Sequence, residues 1–213
     1  MARLRVIAAT SNPGKLEEFR TLLADLPITV ESLAGLGPVR FPEEGLDYGA
    51  NAVAKALAVA EQLDEWALAD DSGLEVAALD GGPGPLSARF GGPALDDAGR
   101  VAHLLSAMKN SPQSSRLARF VCVAALVAPS GEQTVARGEC SGRILPSTRG
   151  AGGFGYDPIF LPDGFDQSMA EIDSGMKDRI SHRGRAFAEL RPALERAAVD
   201  QSLEALEVHG TDE

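Results

Sequence analysis

Short apolar runs along the chain alternate with stretches in which apolar residues recur at helical spacing. A strand buried on both faces is continuously apolar, whereas a helix buries one stripe, so the two patterns predict strands and helices respectively. The predicted strands span residues 4–9, 28–30, 118–127 and 134–140, and a short apolar segment spans 67–69. The predicted helices span residues 15–24, 48–63, 95–108 and 185–207, the last containing Pro192, which can interrupt a helix.

The order of these elements predicts an α/β fold, because strands alternate with helices. Gly131 and Glu132 stand between two predicted strands and favour a hairpin, so we expect a mixed sheet and not a purely parallel one. Glycine-rich stretches at 81–85 and 150–155 predict loops. The chain of 213 residues is long for one domain and short for two, and we expect one domain over 1–208 followed by a disordered tail over 209–213.

Composition narrows the functional classes. Hydrophobic residues make up 44% of the chain, enough for a sizeable core, and the formal net charge of -11 argues against a broad nucleic-acid-binding surface. No apolar run has the length of a membrane span, and the N-terminus lacks the apolar core of a signal peptide. Cys122 and Cys140 have no C-x-x-C spacing. We therefore expect a soluble cytoplasmic protein with free thiols, binding neither nucleic acid nor membrane.

The segment between the first predicted strand and the first predicted helix is small, polar and contains a glycine. It reads Thr10, Ser11, Asn12, Pro13, Gly14 and Lys15. A ligand can approach such a backbone closely, and the helix N-terminus offers free N–H groups to an anion. Lys15 adds a full charge, so the segment suits a phosphate, although Ala9 and Leu16 depart from the P-loop pattern. The alternative is an ordinary helix cap formed by Ser11 or Asn12.

Two adjacent acids, Asp70 and Asp71, follow the short apolar segment and precede a Ser-Gly pair. At the end of a strand, such a pair offers the oxygen ligands that Mg²⁺ prefers. One of the carboxylates could also take a proton from an attacking water. Glu43 and Glu44 could join the same cluster. The alternative is a solvated acidic turn.

Asn51 and Lys55 lie four residues apart in the helix predicted at 48–63, so they share one face of it. The alternative is that this face is a solvated polar stripe on an otherwise apolar helix. Lys55 acquires a functional reading only if the carboxylates lie close to it in the fold.

Glycines on both sides of Phe154 leave its ring free to stack on a purine. Asp157 could accept hydrogen bonds from a base edge. The alternative is a loop whose aromatic side chains plug the core. Lys177 and Arg183 are candidates for phosphate or base contacts, and His182 stands beside Arg183 just before the last predicted helix.

The order of these segments resembles the inosine/xanthosine triphosphate pyrophosphatase family. The segments that carry the resemblance are Thr10-x-Asn12-x-x-Lys15, Asn51-Ala52-x-x-Lys55-Ala56, Ala69-Asp70-Asp71-Ser72-Gly73-Leu74, Ser87-Ala88-Arg89-Phe90, Gly152 to Phe160 and Ile180-Ser181-His182-Arg183-Gly184. The resemblance implies a long central mixed sheet, two lobes with the active-site cleft between them, and a homodimer. It also implies Mg²⁺-dependent cleavage between the α- and β-phosphates, which releases a nucleoside monophosphate and pyrophosphate.

The resemblance further implies roles for particular residues. Asp71 would be the general base and a metal ligand beside Asp70 and Glu43, while Lys15 and Lys55 offset phosphate charge. Ala50 stands where the family commonly has a glutamate, so the choice between Glu43 and Glu44 stays open. The implied phosphate contacts are Thr10, Ser11, Asn12, Pro13, Gly14, Lys15 and Ser72. The implied nucleotide and base contacts are Phe154, Gly155, Tyr156, Asp157, Lys177, His182 and Arg183.

Selectivity should depend on the 6-position of the purine. Inosine and xanthosine carry a 6-oxo acceptor there, which a buried donor from the turn at His182 and Arg183 would bind, whereas adenosine carries an amino donor. The expected substrates are ITP, dITP and XTP. Two alternatives remain at this point: a pyrophosphatase for modified pyrimidine or methylated nucleotides, and a nucleotide-binding sensor without catalysis.

Overall fold

The computed structural model describes residues 3–112 and 115–209. Of the tail expected at 209–213, His209 is the last residue of the final helix, and 210–213 lie outside the described residues. A seven-stranded mixed sheet forms its frame, in the order β2-β1-β3-β5-β6-β7, with β4 paired to β3. The strands are β1 (Leu4–Ala8), β2 (Ile28–Glu31), β3 (Trp66–Val76), β4 (Pro83–Gly84), β5 (Leu117–Val127), β6 (Gln133–Ile144) and β7 (Phe160–Pro162). The helices are α1 (Pro13–Leu22), α2 (Tyr48–Leu63), α3 (Asp97–Ala107), α4 (Ser174–Ile180) and α5 (His182–His209).

Strand directions divide the sheet at β3. The strands β2, β1 and β3 are parallel to one another, whereas β5 pairs antiparallel with β3, β6 with β5, and β7 with β6. The predicted α/β fold with a mixed sheet is therefore confirmed, including the hairpin between β5 and β6. The described helices do not include one that is both long and apolar enough to cross a membrane.

One edge of β3 changes its partner halfway along the strand. β1 pairs with it as far as Leu68, and β4 pairs with it from Leu74 onward. Between these two residues, the other described strands leave that edge without a neighbour, while β5 pairs with the opposite edge from Ala67 to Val76. In α/β sheets, ligands bind where neighbouring strands diverge, so this gap is where a site is expected.

Two sequence predictions were wrong in a way that bears on the site. Asp70 and Asp71 do not end a strand, because β3 continues through them to Val76. Burial and partners from distant parts of the chain hold both acids inside the sheet. The last helix also begins earlier than predicted and runs through Pro192 without a break. Packing of Leu190 and Leu194 into the core offsets the hydrogen bond that the proline removes.

The core has separate clusters on the two faces of β3, because side chains alternate along a strand. Leu68 packs on one face with α1 and α5, in a cluster that contains Phe19 and Phe187. Ala67 and Ala69 pack on the other face with α2. A third cluster, around Leu74 and Phe160, joins α3 to the outer strands. The alternation therefore sends the side chain of Asp70 toward α1 and α5, and that of Asp71 toward α2.

Candidate active site

A cavity of about 680 Å³ opens at the gap in the sheet. Its wall contains most of the residues that the sequence singled out. These are Thr10, Ser11, Asn12, Lys15, Glu43, Lys55, Asp71, Ser72, Phe154, Gly155, Tyr156, Asp157, Lys177, His182 and Arg183. Pro13 and Gly14, in the first turn of α1, and Asp70, inside β3, are not among the lining residues. Residues separated by more than a hundred positions in the sequence thus meet in one place.

The segment before α1 is organised by a helix cap. The Asn12 side chain accepts hydrogen bonds from the backbone N–H groups of Gly14 at 2.8 Å and Lys15 at 3.2 Å, and Pro13 occupies the first turn. Thr10 Oγ1 accepts the Asn12 N–H at 3.1 Å. The helix-cap interpretation is therefore confirmed for Asn12, while Ser11 remains exposed at the cavity wall.

Asp70 is a buried anion in contact with two cations, the buried Arg183 and the partly exposed Lys15. Its carboxylate lies 2.8 Å from Lys15 Nζ and 2.9 Å from Arg183 Nη2, and the side chain is fully excluded from solvent. Cys122 Sγ lies 3.7 Å from the same carboxylate. Burial by itself would raise the pKa of Asp70, but the charges of Lys15 and Arg183 outweigh it and hold the pKa far below its ordinary value. Asp70 therefore stays ionised and anchors both cations.

Asp71 faces the cavity in a different environment. Its carboxylate accepts a hydrogen bond from Asn51 Nδ2 at 2.8 Å and lies 3.3 Å from Lys55 Nζ. Burial raises the pKa of Asp71 by more than Lys55, Asn51 and Lys15 lower it, so the net shift is upward. A carboxylate with a raised pKa and a protonatable oxygen toward a cavity is suited to accept a proton.

Asn51 and Glu44 complete this side of the site. The Asn51 side chain also accepts the Gly45 N–H at 2.8 Å and donates to the Gly45 carbonyl at 3.1 Å, so it fixes both Asp71 and the loop before α2. Glu44 Oε1 lies 3.1 Å from Lys55 Nζ, which places one ammonium between Glu44 and Asp71. The other oxygen of Glu44 lies 3.3 Å from Arg89 Nη2.

Whether this region can bind a divalent cation depends on the oxygen donors that its side chains offer. The described residues do not contain a preformed group of three or more His, Cys, Asp or Glu side chains arranged for a metal. Asp71 and Glu44 nevertheless converge on one cation, the Lys55 ammonium, and both present carboxylate oxygens, the ligand type that Mg²⁺ prefers. These two residues therefore have donors that would fit a magnesium ion, with water completing its coordination. Glu43 lines the same wall.

The loop that carries Phe154 is held from inside by Asp157. The buried Asp157 carboxylate accepts the Phe154 N–H at 3.0 Å and lies 2.7 Å from Lys177 Nζ. A Cβ atom on Gly153, which has φ +68°, would lie 2.0 Å from Asp157 Oδ2, so only glycine permits this contact. Asp157 thus has a structural partner set, and the contact predicted between it and a base edge stays a prediction.

The Phe154 ring stands over two cations at the cavity wall. Lys177 Nζ lies 5.0 Å and Arg183 Cζ 5.7 Å from the ring centroid, which are cation–π distances. A Cβ on Gly14 would lie 2.8 Å from Phe154 Cδ1, so the ring packs directly on the first turn of α1. The aromatic loop and the segment before α1 are therefore in contact.

The Arg183 guanidinium is 2% exposed and has protein acceptors on several sides. It donates to Asp70, to Ser72 Oγ at 3.0 Å and to Glu18, a residue of α1. Glu18 also lies 2.7 Å from Lys177 Nζ. Ser72 is thereby engaged with Arg183 on the Asp70 side of β3, and its predicted phosphate contact stays a prediction.

His182 is a buried neutral ring. It stacks on Phe120 with a centroid distance of 4.7 Å and an interplanar angle of 13°. Burial, followed by the neighbouring Arg183 charge, lowers its pKa well below 6.5. Its Nδ1 atom is buried and has no hydrogen-bond partner among the described residues. The buried hydroxyl of Tyr156 donates to the Ser87 carbonyl at 2.9 Å, and the predicted contact between Tyr156 and a nucleotide stays a prediction.

Sequence reasoning missed several residues of this site. Glu18 lies one turn beyond Lys15 in α1, and that i, i+3 spacing was a usable signal. Asp97 and Arg100 line the cavity from α3, and an acidic first helical turn is too common a feature to mark a site. Asn51 was noticed for its spacing with Lys55 but received no role. Its position between Asp71 and Gly45 depends on tertiary contacts.

The chain matches the Ham1 family over residues 6–193. A dITP/XTP pyrophosphatase of Desulforamulus reducens is 44% identical over 201 residues, covering 94% of this chain and 100% of the relative. A dITP/XTP pyrophosphatase of Nocardia farcinica is 46% identical over 198 residues, covering 91% of this chain and 96% of the relative. Among solved structures, a HAM1 protein from Coxiella burnetii has a TM-score of 0.81 and 38% identity, covering 91% of this chain and 99% of that one.

Proposed function

The chain belongs to the Ham1 family, and we propose that it hydrolyses the non-standard purine nucleotides ITP, dITP and XTP to the monophosphate and pyrophosphate. The observation that carries this proposal is the cavity that places Asp71 and Lys55 on one wall and Phe154 over Lys177 on another. One wall offers a base and a cation for phosphate chemistry, and the other offers a flat ring and a donor for a purine. Relatives that cover most of this chain are named dITP/XTP pyrophosphatases, which supports the same substrate class.

In the proposed reaction, Asp71 takes the proton of a water that attacks the α-phosphorus. The amide of Asn51 holds one oxygen of Asp71, so the carboxylate keeps its orientation while it accepts the proton. Lys15 and Lys55 offset the negative charge of the triphosphate close to its path. Such local cations explain how a chain with a net charge of -11 can take a polyanion.

Magnesium would be held by Asp71 and Glu44, with Glu43 on the same wall. When bound, it would stabilise the charge that develops on the phosphate oxygens. Lys55 keeps both carboxylates in place through its contacts at 3.3 Å with Asp71 and 3.1 Å with Glu44. We assign Asp70 to the anchoring of Lys15 and Arg183, because its carboxylate is enclosed by those two cations.

Base selectivity would come from the wall around Phe154. The ring stacks on the purine, and Lys177, whose ammonium has three N–H groups, uses contacts with Asp157 and Glu18 and keeps one donor for a 6-oxo group. The guanidinium of Arg183 already donates to Asp70, Glu18 and Ser72. We therefore assign Arg183 the cation–π contact with the Phe154 ring and not a hydrogen bond to the base. A 6-amino group would leave the Lys177 donor unpaired, which disfavours adenosine by about 1–3 kcal/mol.

We further propose a homodimer in the cytoplasm, built from one two-lobed domain over residues 1–208 with the cavity as its cleft. Exposed apolar side chains such as Leu46 (74%) and Leu117 (61%) support a partner surface. The free thiols of Cys122 and Cys140 fit a reducing compartment. One continuous sheet supports the single domain.

The test is pyrophosphate release from ITP, XTP, dITP, GTP and ATP, each with Mg²⁺ and with EDTA. We expect strong Mg²⁺-dependent release from the first three and little from ATP. GTP also carries a 6-oxo group, so its rejection would require a further contact at the 2-position of the base. Equal release from all five would retain the phosphate chemistry and remove the argument from Phe154 and Lys177. An inactive protein on all five would overturn the proposal in favour of modified pyrimidine substrates or a sensor.

A further inference from the structure

Two consecutive backbone amides of the Phe154 loop are each bound by a carboxylate. The Phe154 N–H donates to Asp157, three residues away and buried. The Gly155 N–H donates to Asp97 Oδ2 at 2.9 Å, and Asp97 lies 58 residues earlier in the chain, in the first turn of α3. The loop is thus fixed once from within and once by a separate helix.

Asp97 is itself oriented by Arg100, one turn further along α3. Arg100 Nη1 lies 3.2 Å from Asp97 Oδ1, so one oxygen of Asp97 faces Arg100 and the other faces Gly155. The Arg100 side chain is 17% exposed, and its buried Nε has no hydrogen-bond partner among the described residues. Both residues line the cavity.

The loop needs an external tie because glycines flank Phe154. Gly153 and Gly155 have φ +68° and +60°, and glycine gives the backbone more conformations to lose on ordering than any other residue. A Cβ on Gly155 would meet nothing within 4 Å, so this side of the residue is open. The hydrogen bond to Asp97 is therefore the tie that α3 supplies to the loop at this point, beside the buried Tyr156, whose hydroxyl donates to the Ser87 carbonyl.

We propose that Asp97, oriented by Arg100, is a positioning residue for the purine. It holds Gly155 so that the Phe154 ring keeps its place over Lys177 and against Gly14. This inference rests on the proposed function, since it requires a base on that ring. Its effect should fall on the nucleoside half of the substrate and leave the phosphate half unchanged, because Asp71, Lys55 and Asn51 belong to other elements.

The test compares Asp97→Ala and Asp97→Asn with the matched control Asp96→Ala. Asp96 is the neighbouring acid, but its Oδ1 accepts the Gly99 N–H at 2.8 Å and caps α3. Calorimetry with Mg²⁺ measures binding of IMP and of pyrophosphate to each full-length variant. For Asp97→Ala we expect about tenfold weaker IMP binding, a similar rise in KM for ITP, and kcat and pyrophosphate binding within about twofold of wild type, the pattern for lost uniform binding.

Asp97→Asn retains an oxygen acceptor for Gly155 and should recover most of the IMP affinity. Asp96→Ala should lower the melting temperature with IMP affinity unchanged. Wild-type IMP affinity in Asp97→Ala would overturn the inference, and so would parallel losses for IMP and pyrophosphate, which indicate a general structural role. Failure of the proposed function is visible separately, because the wild-type protein would then release no pyrophosphate from ITP and would not bind IMP.

Discussion

Asp70 and Asp71 are adjacent in sequence but lie on opposite faces of β3, and their pKa values are shifted in opposite directions. On the α1 and α5 face, Asp70 is enclosed by Lys15 and Arg183, and its pKa is held far below the ordinary value. On the α2 face, Asp71 is held by Asn51 and Lys55, and burial shifts its pKa upward. Asp70 is thus held in its ionised form by two cations, whereas Asp71 remains able to accept a proton.

The difference separates a carboxylate that anchors two cations from the carboxylate proposed as the base. A buried ion pair contributes little to stability over an apolar replacement, but removing one partner leaves an uncompensated charge. Asp70 therefore holds the side chains of Lys15 and Arg183 in place at the cavity wall. Asp71 is the residue proposed as the base, and its raised pKa means that the fold disfavours its ionised form.

The largest expected effect is on turnover in Asp71→Asn. Loss of the positioned base should lower kcat for ITP by about 10²–10⁴-fold. Because the folded pKa of Asp71 lies above 3.8, the stability it contributes is present below pH 3.8 and lost as the pH rises through the folded value. At pH 7 the variant should therefore be at least as stable as wild type in a denaturant titration. Near-wild-type turnover would remove Asp71 from the proposed role.

The same substitution one residue earlier should act mainly on stability. Asp70→Asn removes the carboxylate that contacts both Lys15 and Arg183, leaving Arg183 with Glu18 as its remaining anion, and we expect the free energy of unfolding at pH 7 to fall by about 3–5 kcal/mol. Because the folded pKa of Asp70 is depressed, its stabilisation is present above pH 3.8 and is lost as the pH falls toward the folded value. The gap between wild type and variant in urea titrations should narrow below pH 3.8. An unchanged unfolding free energy would contradict the anchoring role.

A smaller effect is expected from Ser72→Ala, the next residue whose side chain lies on the Asp70 face. The change removes one acceptor of Arg183, while Asp70 and Glu18 remain. We expect the free energy of unfolding to fall by about 0.5–1.5 kcal/mol, the net worth of one hydrogen bond. A loss of ITP turnover comparable to that of Asp71→Asn, with stability unchanged, would instead place Ser72 on the reactive side of the comparison.

Sequence patterns predicted most helices and strands, but they did not predict that β3 continues through two charged residues. The helix at 48–63 and the strands of the β5–β6 hairpin follow from local periodicity, and both were found. β3 was predicted only as a short apolar segment, because charged residues are seldom fully buried unless paired. The partner that makes this possible for Asp70 is Arg183, 113 residues away, which no local pattern shows.

The composition of the site was predictable as a set of motifs, but its internal contacts were not. Phe154 and Lys177 were recognised as candidates, and the structure places Lys177 Nζ 5.0 Å from the centroid of the Phe154 ring. The choice between Glu43 and Glu44 could not be made from sequence, since both follow Pro42 in a loop. Glu44 is the one in contact with Lys55. Asp97 was missed because its partner is a backbone amide of a distant glycine.

Between Leu68 and Leu74, one side of β3 has no neighbouring strand among those described, so a short sheet edge lies in the middle of the sheet. Ala9 N–H binds the Leu68 carbonyl and Leu74 N–H binds Ser87 Oγ, both at 2.8 Å. Alternation along an extended strand then turns the backbone groups of Asp70 and Ser72 toward the same open side. An exposed edge normally invites another strand and thus aggregation. Here β1 and β4 close both ends of the gap, so it is too short for an incoming strand and remains accessible only to something small.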